Sequence, residues 1–130
     1  MPIGVLVVDD SMVIRHTICR FLEERGYEVE VASDGQEALE IAGRKAPDLI
    51  ITDMQMPAMG GRELISALKN EPKTAAIPIV ILTGHSSGYD QGETQAEFTI
   101  FKDIDVQEQL EKALKAIATT GLAKAHGSGN

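Results

Sequence analysis

Apolar runs of strand length alternate along this chain with stretches in which apolar residues recur at helical spacing. Residues 3–8, 49–52 and 79–83 are almost continuously apolar, which is typical of strands buried on both faces of a parallel sheet. Residues 27–32 alternate in polarity, as a strand nearer the sheet edge does, and residues 99–101 predict a short fifth strand. The pattern therefore predicts five strands.

Four stretches outside these strands predict amphipathic helices. Their apolar faces consist of Ile14, Ile18, Phe21 and Leu22; of Ala38, Leu39 and Ala42; of Leu64, Ile65 and Leu68; and of Val106, Leu110, Ala113, Leu114 and Ile117. Gly26 ends the first helix, and Asp34 and Asp105 each stand three residues before a glutamate, the spacing of a capping box. Residues 84–95 carry three glycines and no apolar face, so we predict that the helix expected there is short or irregular.

This alternation predicts an α/β protein, with a parallel sheet covered by helices on both faces. Right-handed crossovers and the chain length favour a flavodoxin-like three-layer fold with strand order 2-1-3-4-5. We predict one domain over residues 1–120, followed by a disordered tail over residues 121–130, which are small and polar.

Composition narrows the classes of partner. The 130 residues are 43% hydrophobic and 25% charged, as in a folded globule, and carry a formal net charge of −8. No basic run stands out, which argues against nucleic acid or an anionic membrane as a partner, and the apolar runs are too short to span a bilayer. Because Cys19 is the one cysteine, no internal disulfide can form, and we expect a cytoplasmic location.

Polar side chains follow four of the predicted strands: Asp9 and Asp10 the first, Asp53 the third, Thr83 the fourth and Lys102 the fifth. In the predicted order these strand ends converge on one edge of the sheet, where open α/β sheets bind their ligands. Three carboxylates this close repel one another, so they either share protons in a coupled titration or hold a hard divalent cation, for which oxygen ligands favour Mg²⁺.

The same groups have phosphoryl chemistry available to them. A carboxylate oxygen of Asp53 can accept a phosphoryl group as an acyl phosphate, while Thr83 and Lys102 neutralise its oxygens. The simpler interpretation of each residue alone stays open, since an aspartate at a strand end often only forms a turn or caps a helix. The combination on the correct strands favours the phosphoryl site.

The residues that carry this pattern resemble a known family. Val7-Val8-Asp9-Asp10-Ser11, Asp53-Met54-Gln55-Met56-Pro57 with Gly60-Gly61, Thr83 and Lys102 are similar to the receiver domain of two-component response regulators. The resemblance implies that Asp53 is the phosphoacceptor, and that Asp10, Asp53 and the backbone carbonyl of Gln55 bind Mg²⁺ while Asp9 acts largely through water.

The resemblance also implies a signalling role. Thr83 and Lys102 would contact the phosphoryl group, and the surface around the fourth and fifth strands would change conformation. The donor would be a phosphohistidine on a sensor histidine kinase or a histidine phosphotransfer protein. The module would catalyse only its own phosphorylation and dephosphorylation, so it would not be an enzyme in the turnover sense. Its downstream protein partner and a possible homodimer stay open.

Two positions depart from the family pattern. Lys102 is followed by Asp103 where receivers commonly have proline, so we predict a trans peptide bond and an altered loop. Thr99 stands where an aromatic partner of the threonine switch is usual. These departures motivate the alternative that the chain is a receiver-fold docking module acting independently of phosphorylation. An aspartate-nucleophile phosphatase is disfavoured, because Gln55 stands where that family has a second aspartate.

Overall fold

A computed structural model describes residues 3–54, 61–83, 98–101 and 105–117. Its strands are β1 (Gly4–Val8), β2 (Glu28–Ala32), β3 (Leu49–Asp53), β4 (Ile79–Thr83) and β5 (Phe98–Phe101). The helices within these ranges are α1 (Met12–Glu23), α2 (Gly35–Arg44), α3 (Gly61–Asn70) and α4 (Val106–Ile117). None of these helices is long and apolar enough to cross a bilayer.

The five strands form one parallel sheet in the order β2-β1-β3-β4-β5, which confirms the predicted fold. Each observed strand starts and ends within one residue of its predicted bounds, because each apolar run is bounded by a polar residue or a turn. The predicted short helix within residues 84–95 and the predicted tail from residue 121 lie outside the described residues.

The core consists of two aliphatic layers, one on each face of the sheet. Alternate strand residues point to opposite faces, so Val7 packs with the layer under α1 and α4, while Leu6 packs with the layer under α2 and α3. The strands β1, β3 and β4 are buried almost throughout, whereas β2 and β5 at the edges are partly exposed. This arrangement explains why the central strands lack charged positions until they end.

A two-point clamp joins the amino end of the central strand β3 to that of its neighbour β1. The Asp48 carboxylate accepts a hydrogen bond of 2.8 Å from the Gly4 N–H, and the Asp48 N–H donates one of 2.8 Å to the Gly4 carbonyl. Asp48 stands just before β3 and Gly4 begins β1, so one residue fixes both strands at the same level of the sheet.

The predicted cap of α2 forms with one change of partner. The Asp34 carboxylate accepts from the Glu37 N–H at 2.8 Å, as an N-cap residue does. The Glu37 carboxylate, however, accepts from the Ser33 N–H at 2.8 Å and the Ser33 hydroxyl at 3.0 Å, one residue before the capping-box position. The serine hydroxyl explains this choice, because Ser33 offers Glu37 two donors.

Gly26 ends α1 in a left-handed conformation, with a φ of 88°. The Gly26 N–H donates to the Glu23 carbonyl at 3.1 Å, and the Tyr27 N–H donates to the Leu22 carbonyl at 3.1 Å. These two bonds form a Schellman motif, in which a residue at positive φ turns the chain off the helix axis. The turn directs the chain into β2.

We expect Gly26→Ala to lower the free energy of unfolding by about 1–2 kcal/mol, because an alanine disfavours the left-handed region. A Cβ there would meet no atom within 4 Å, so the loss reports backbone conformation alone. The matched control is Gly43→Ala in α2, also clear of neighbours within 4 Å, which should gain about 0.5 kcal/mol in helix propensity. Urea denaturation of both variants checks the opposite signs, and a loss in both would contradict this account.

Candidate functional site

Three aspartates meet at the carboxyl edge of the sheet. Asp9 and Asp10 follow β1 directly, and Asp53 is the last residue of β3. The two strands are paired with Val8 opposite Thr52, so both chains reach this edge together. One carboxylate oxygen from each of the three aspartates lies within 4.8 Å of the others. The predicted convergence of these side chains is therefore present.

Two of the three carboxylates in this cluster are buried, which strengthens the repulsion between their charges. Asp9 is fully buried and Asp53 is 5% exposed, whereas Asp10 is exposed and opens the cluster to solvent. Two like charges 4 Å apart repel by about 4 kcal/mol at the effective dielectric near a protein surface. All the donors are carboxylate oxygens, a set that suits a hard divalent cation such as Mg²⁺. The chemistry of the donor set therefore fits the predicted metal.

The loop after β1 holds Asp9 through its backbone and its side chain. The Asp9 carboxylate accepts from the Ser11 N–H at 2.8 Å, and the Ser11 hydroxyl caps α1 by accepting from the Ile14 N–H at 3.4 Å. The Asp9 N–H donates to the Ala32 carbonyl at 3.1 Å. The Asp9 carboxylate thus both stabilises a turn and belongs to the acidic site, because the turn orients it.

Arg15 also holds this loop, and the sequence did not single it out. Its Nη1 donates to the backbone carbonyl of Asp9 at 3.2 Å. A basic residue in the first turns of a surface helix usually extends into solvent, so its spacing alone carried no signal. The Arg15 guanidinium therefore contacts the backbone of one member of the aspartate cluster.

Asp53 and Thr83 end neighbouring strands. Asp53 is paired with Leu82, the Met54 N–H donates to the Leu82 carbonyl at 3.3 Å, and Thr83 is the next residue of β4. The Thr52 hydroxyl donates to the Asp53 carbonyl at 2.9 Å. Thr83 is buried at this edge, as predicted from the order of the strands.

Lys102 and Gln55 lie outside the described residues, as does the peptide bond between Lys102 and Asp103. The residue before Lys102 is described: Phe101 ends β5 and is paired with Thr83. The fifth strand therefore ends level with the fourth at the edge that carries the aspartates.

Comparison with known proteins decides the family. The family model of the response regulator receiver domain matches residues 5–118. The chain belongs to this family. Receiver domains of this kind are signalling modules of two-component systems and not classical enzymes.

Individual receivers support the assignment. The response regulator MprA of Mycolicibacterium vanbaalenii is 38% identical over 87 residues, which cover 67% of this chain and 37% of that protein. The chain thus spans little more than a third of the length of such curated relatives. The chemotaxis response regulator CheY4 of Vibrio cholerae is 36% identical, with a TM-score of 0.82 over 90% of this chain and 99% of that one.

A third receiver shares the fold alone. The receiver domain of the sensor histidine kinase PA1611 from Pseudomonas aeruginosa is 23% identical, with a TM-score of 0.81 over 89% of this chain and 97% of that one. That structure has a magnesium ion coordinated in its active-site cleft.

Cys19 lies apart from this site in the receiver domain. It is partly buried on α1 and packs against the core layer beneath α1 and α4. Burial raises the pKa of its thiol, Glu23 raises it further, and Arg15 opposes both effects. The neutral thiol is therefore favoured, as in a cysteine that serves packing.

We expect Asp53→Asn to raise the free energy of unfolding of the metal-free receiver by about 1 kcal/mol, because it removes one of three clustered charges. Urea denaturation in EDTA measures this value. The control is Glu40→Gln on the exposed face of α2, which changes the net charge equally and should leave stability within about 0.5 kcal/mol. An equal rise in both variants would assign the effect to net charge and not to the cluster.

Proposed function

We propose that this receiver domain accepts a phosphoryl group on Asp53 from a phosphohistidine of a sensor histidine kinase or a histidine phosphotransfer protein. One observation carries the proposal: the carboxylates of Asp9, Asp10 and Asp53 lie within 4.8 Å of one another at the carboxyl edge of the sheet. A divalent cation held by these carboxylates would offset their mutual repulsion and would also attract the negative charge of an incoming phosphoryl group.

Mg²⁺ is the cation proposed for this cluster. Asp10 and Asp53 would bind it directly together with the backbone carbonyl of Gln55, and Asp9 would act largely through water. The all-oxygen donor set supports this assignment, as does the magnesium in the PA1611 receiver. The chemistry that a bound Mg²⁺ supplies is neutralisation of the carboxylates and of one phosphoryl oxygen.

Asp53 acts as the nucleophile in the proposed transfer. One of its carboxylate oxygens forms a bond to phosphorus while the bond from phosphorus to the donor imidazole nitrogen breaks. The electron pair of the broken bond stays on the imidazole, which takes up a proton from solvent. The product on the receiver is an acyl phosphate.

Thr83 and Lys102 are the proposed contacts of the other phosphoryl oxygens. The Thr83 hydroxyl donates a hydrogen bond, and the Lys102 ammonium supplies a positive charge. Thr83 lies at the end of β4, so its movement toward the phosphoryl group would shift the populations of conformations around β4 and β5. We propose that a downstream protein reads this surface, whether the receiver acts as a monomer or a homodimer.

The proposed location is the cytoplasm. Cys19 is the one cysteine of the sequence, so no internal disulfide can form, and a reducing compartment suits such a chain. The alternative of a docking module that acts independently of phosphorylation is not favoured by the family match. This alternative would be favoured only if Asp53 did not accept a phosphoryl group.

Incubation of the full chain with acetyl phosphate should add one phosphoryl group, with Mg²⁺ present and not in EDTA. Intact-protein mass spectrometry measures the adduct. Asp53→Ala should abolish it, because the accepting oxygen is gone. The control is Glu40→Gln, which also replaces a carboxylate by an amide but lies on the exposed face of α2 and outside the aspartate cluster. An adduct that persists in Asp53→Ala, or that forms equally in EDTA, would refute the proposal.

A further inference from the structure

Gln109 holds the end of the strand that leads into Lys102. The Phe101 N–H donates to Gln109 Oε1 at 3.0 Å, and Gln109 Nε2 donates to the Phe101 carbonyl at 2.9 Å. A carboxamide has one acceptor and a pair of donors, so it can replace a neighbouring peptide group. Because β5 is at the edge of the sheet, Gln109 pairs with its last residue from the side that bears no further strand.

The same amide also binds Asp105, the first described residue after Phe101. Gln109 Nε2 donates to the Asp105 carbonyl at 3.2 Å, and the Asp105 carboxylate accepts from the Glu108 N–H at 3.2 Å at the start of α4. Residues 102–104 therefore run between two carbonyl groups, of Phe101 and Asp105, that bind one side-chain NH₂ group. One side chain thus binds the two described residues that flank residues 102–104, the stretch that contains Lys102.

This contact supplies a constraint that the loop sequence lacks. Lysine is a point charge on a flexible stem, so its value at a phosphoryl group depends on where its backbone is held. Asp103 follows Lys102, so no proline ring restricts the backbone at that position. The hydrogen bonds of Gln109 restrain instead the residues on either side, Phe101 and Asp105.

We propose that Gln109 is a positioning residue for phosphoryl transfer, which acts by holding the backbone on both sides of Lys102. The inference rests on the proposed function, in which Lys102 contacts the phosphoryl group. The hydrogen bonds that the Gln109 side chain forms within the described residues go to Phe101 and Asp105 and not to the aspartate cluster. The effect of Gln109 on the rate is therefore expected to pass through Lys102 alone.

A double-mutant cycle tests this proposal in the full chain. Gln109→Met keeps the length of the side chain and removes its donors and acceptor, and it is combined with Lys102→Ala. The matched control is Gln107→Met, two residues earlier on the exposed face of the same helix. The rate of adduct formation with acetyl phosphate and Mg²⁺ is measured for each variant, beside urea denaturation to confirm folding.

Gln109→Met should slow adduct formation about tenfold when Lys102 is present, because the ammonium is no longer held in place. It should change the rate less than twofold in the Lys102→Ala background, which is itself slowed about a hundredfold. Gln107→Met should match the wild type. Amide hydrogen exchange of Phe101 should accelerate in Gln109→Met, which a change confined to α4 would not produce.

The following results would each contradict the proposed role of Gln109. An equal loss in both backgrounds would show a general structural role for Gln109, and an unchanged rate in Gln109→Met would show none. If Gln109→Met does not fold, Gln109→Asn keeps a polar amide that is too short to bridge the loop, and the same cycle applies. Absence of any adduct on the wild type would refute the proposed function itself, whereas a normal rate in Lys102→Ala would refute only the role of the lysine.

Discussion

Strands buried on both faces can carry charged side chains only where they end. This constraint governs the receiver domain, because β1, β3 and β4 lie between two aliphatic layers and are buried almost throughout. Parallel pairing makes all the strands end at one edge, so their first polar residues become neighbours without any further element. The aspartate cluster is thus the result of sheet topology, and the helices serve mainly to bury the sheet.

The same constraint explains what the sequence could predict. Continuous apolar runs predicted the strands, and their alternation with helices predicted the strand order. The convergence of Asp9, Asp10 and Asp53 followed from both predictions. The prediction was less complete where a contact depends on a side chain reaching another segment. Arg15 at the Asp9 carbonyl and Gln109 at Phe101 obey no periodic pattern, since each is a side chain bound to backbone that folding brings near.

The two edges of the sheet are protected in different ways. On β2 the exposed side chains include Glu28 and Glu30, whose charges disfavour pairing with another strand. On β5 the Gln109 amide occupies the backbone groups of Phe101, so the protection is a specific hydrogen-bonded contact. Both edge strands lie two strands from β3, which ends in Asp53, but only on β5 does the protecting contact fall on the residue that precedes Lys102. Protection and positioning can therefore coincide at β5.

The clamp between Asp48 and Gly4 has a consequence for the accuracy of assembly. Because both faces of β3 are aliphatic, sliding it by one residue against β1 would still bury apolar side chains on each face. That slip would carry Asp53 about 3.3 Å along the sheet from its partners. Hydrophobic packing alone would tolerate such a misaligned protein, stable and without a site. The two hydrogen bonds at the opposite end of the strands oppose that error, so the reactive edge is aligned from the inert one.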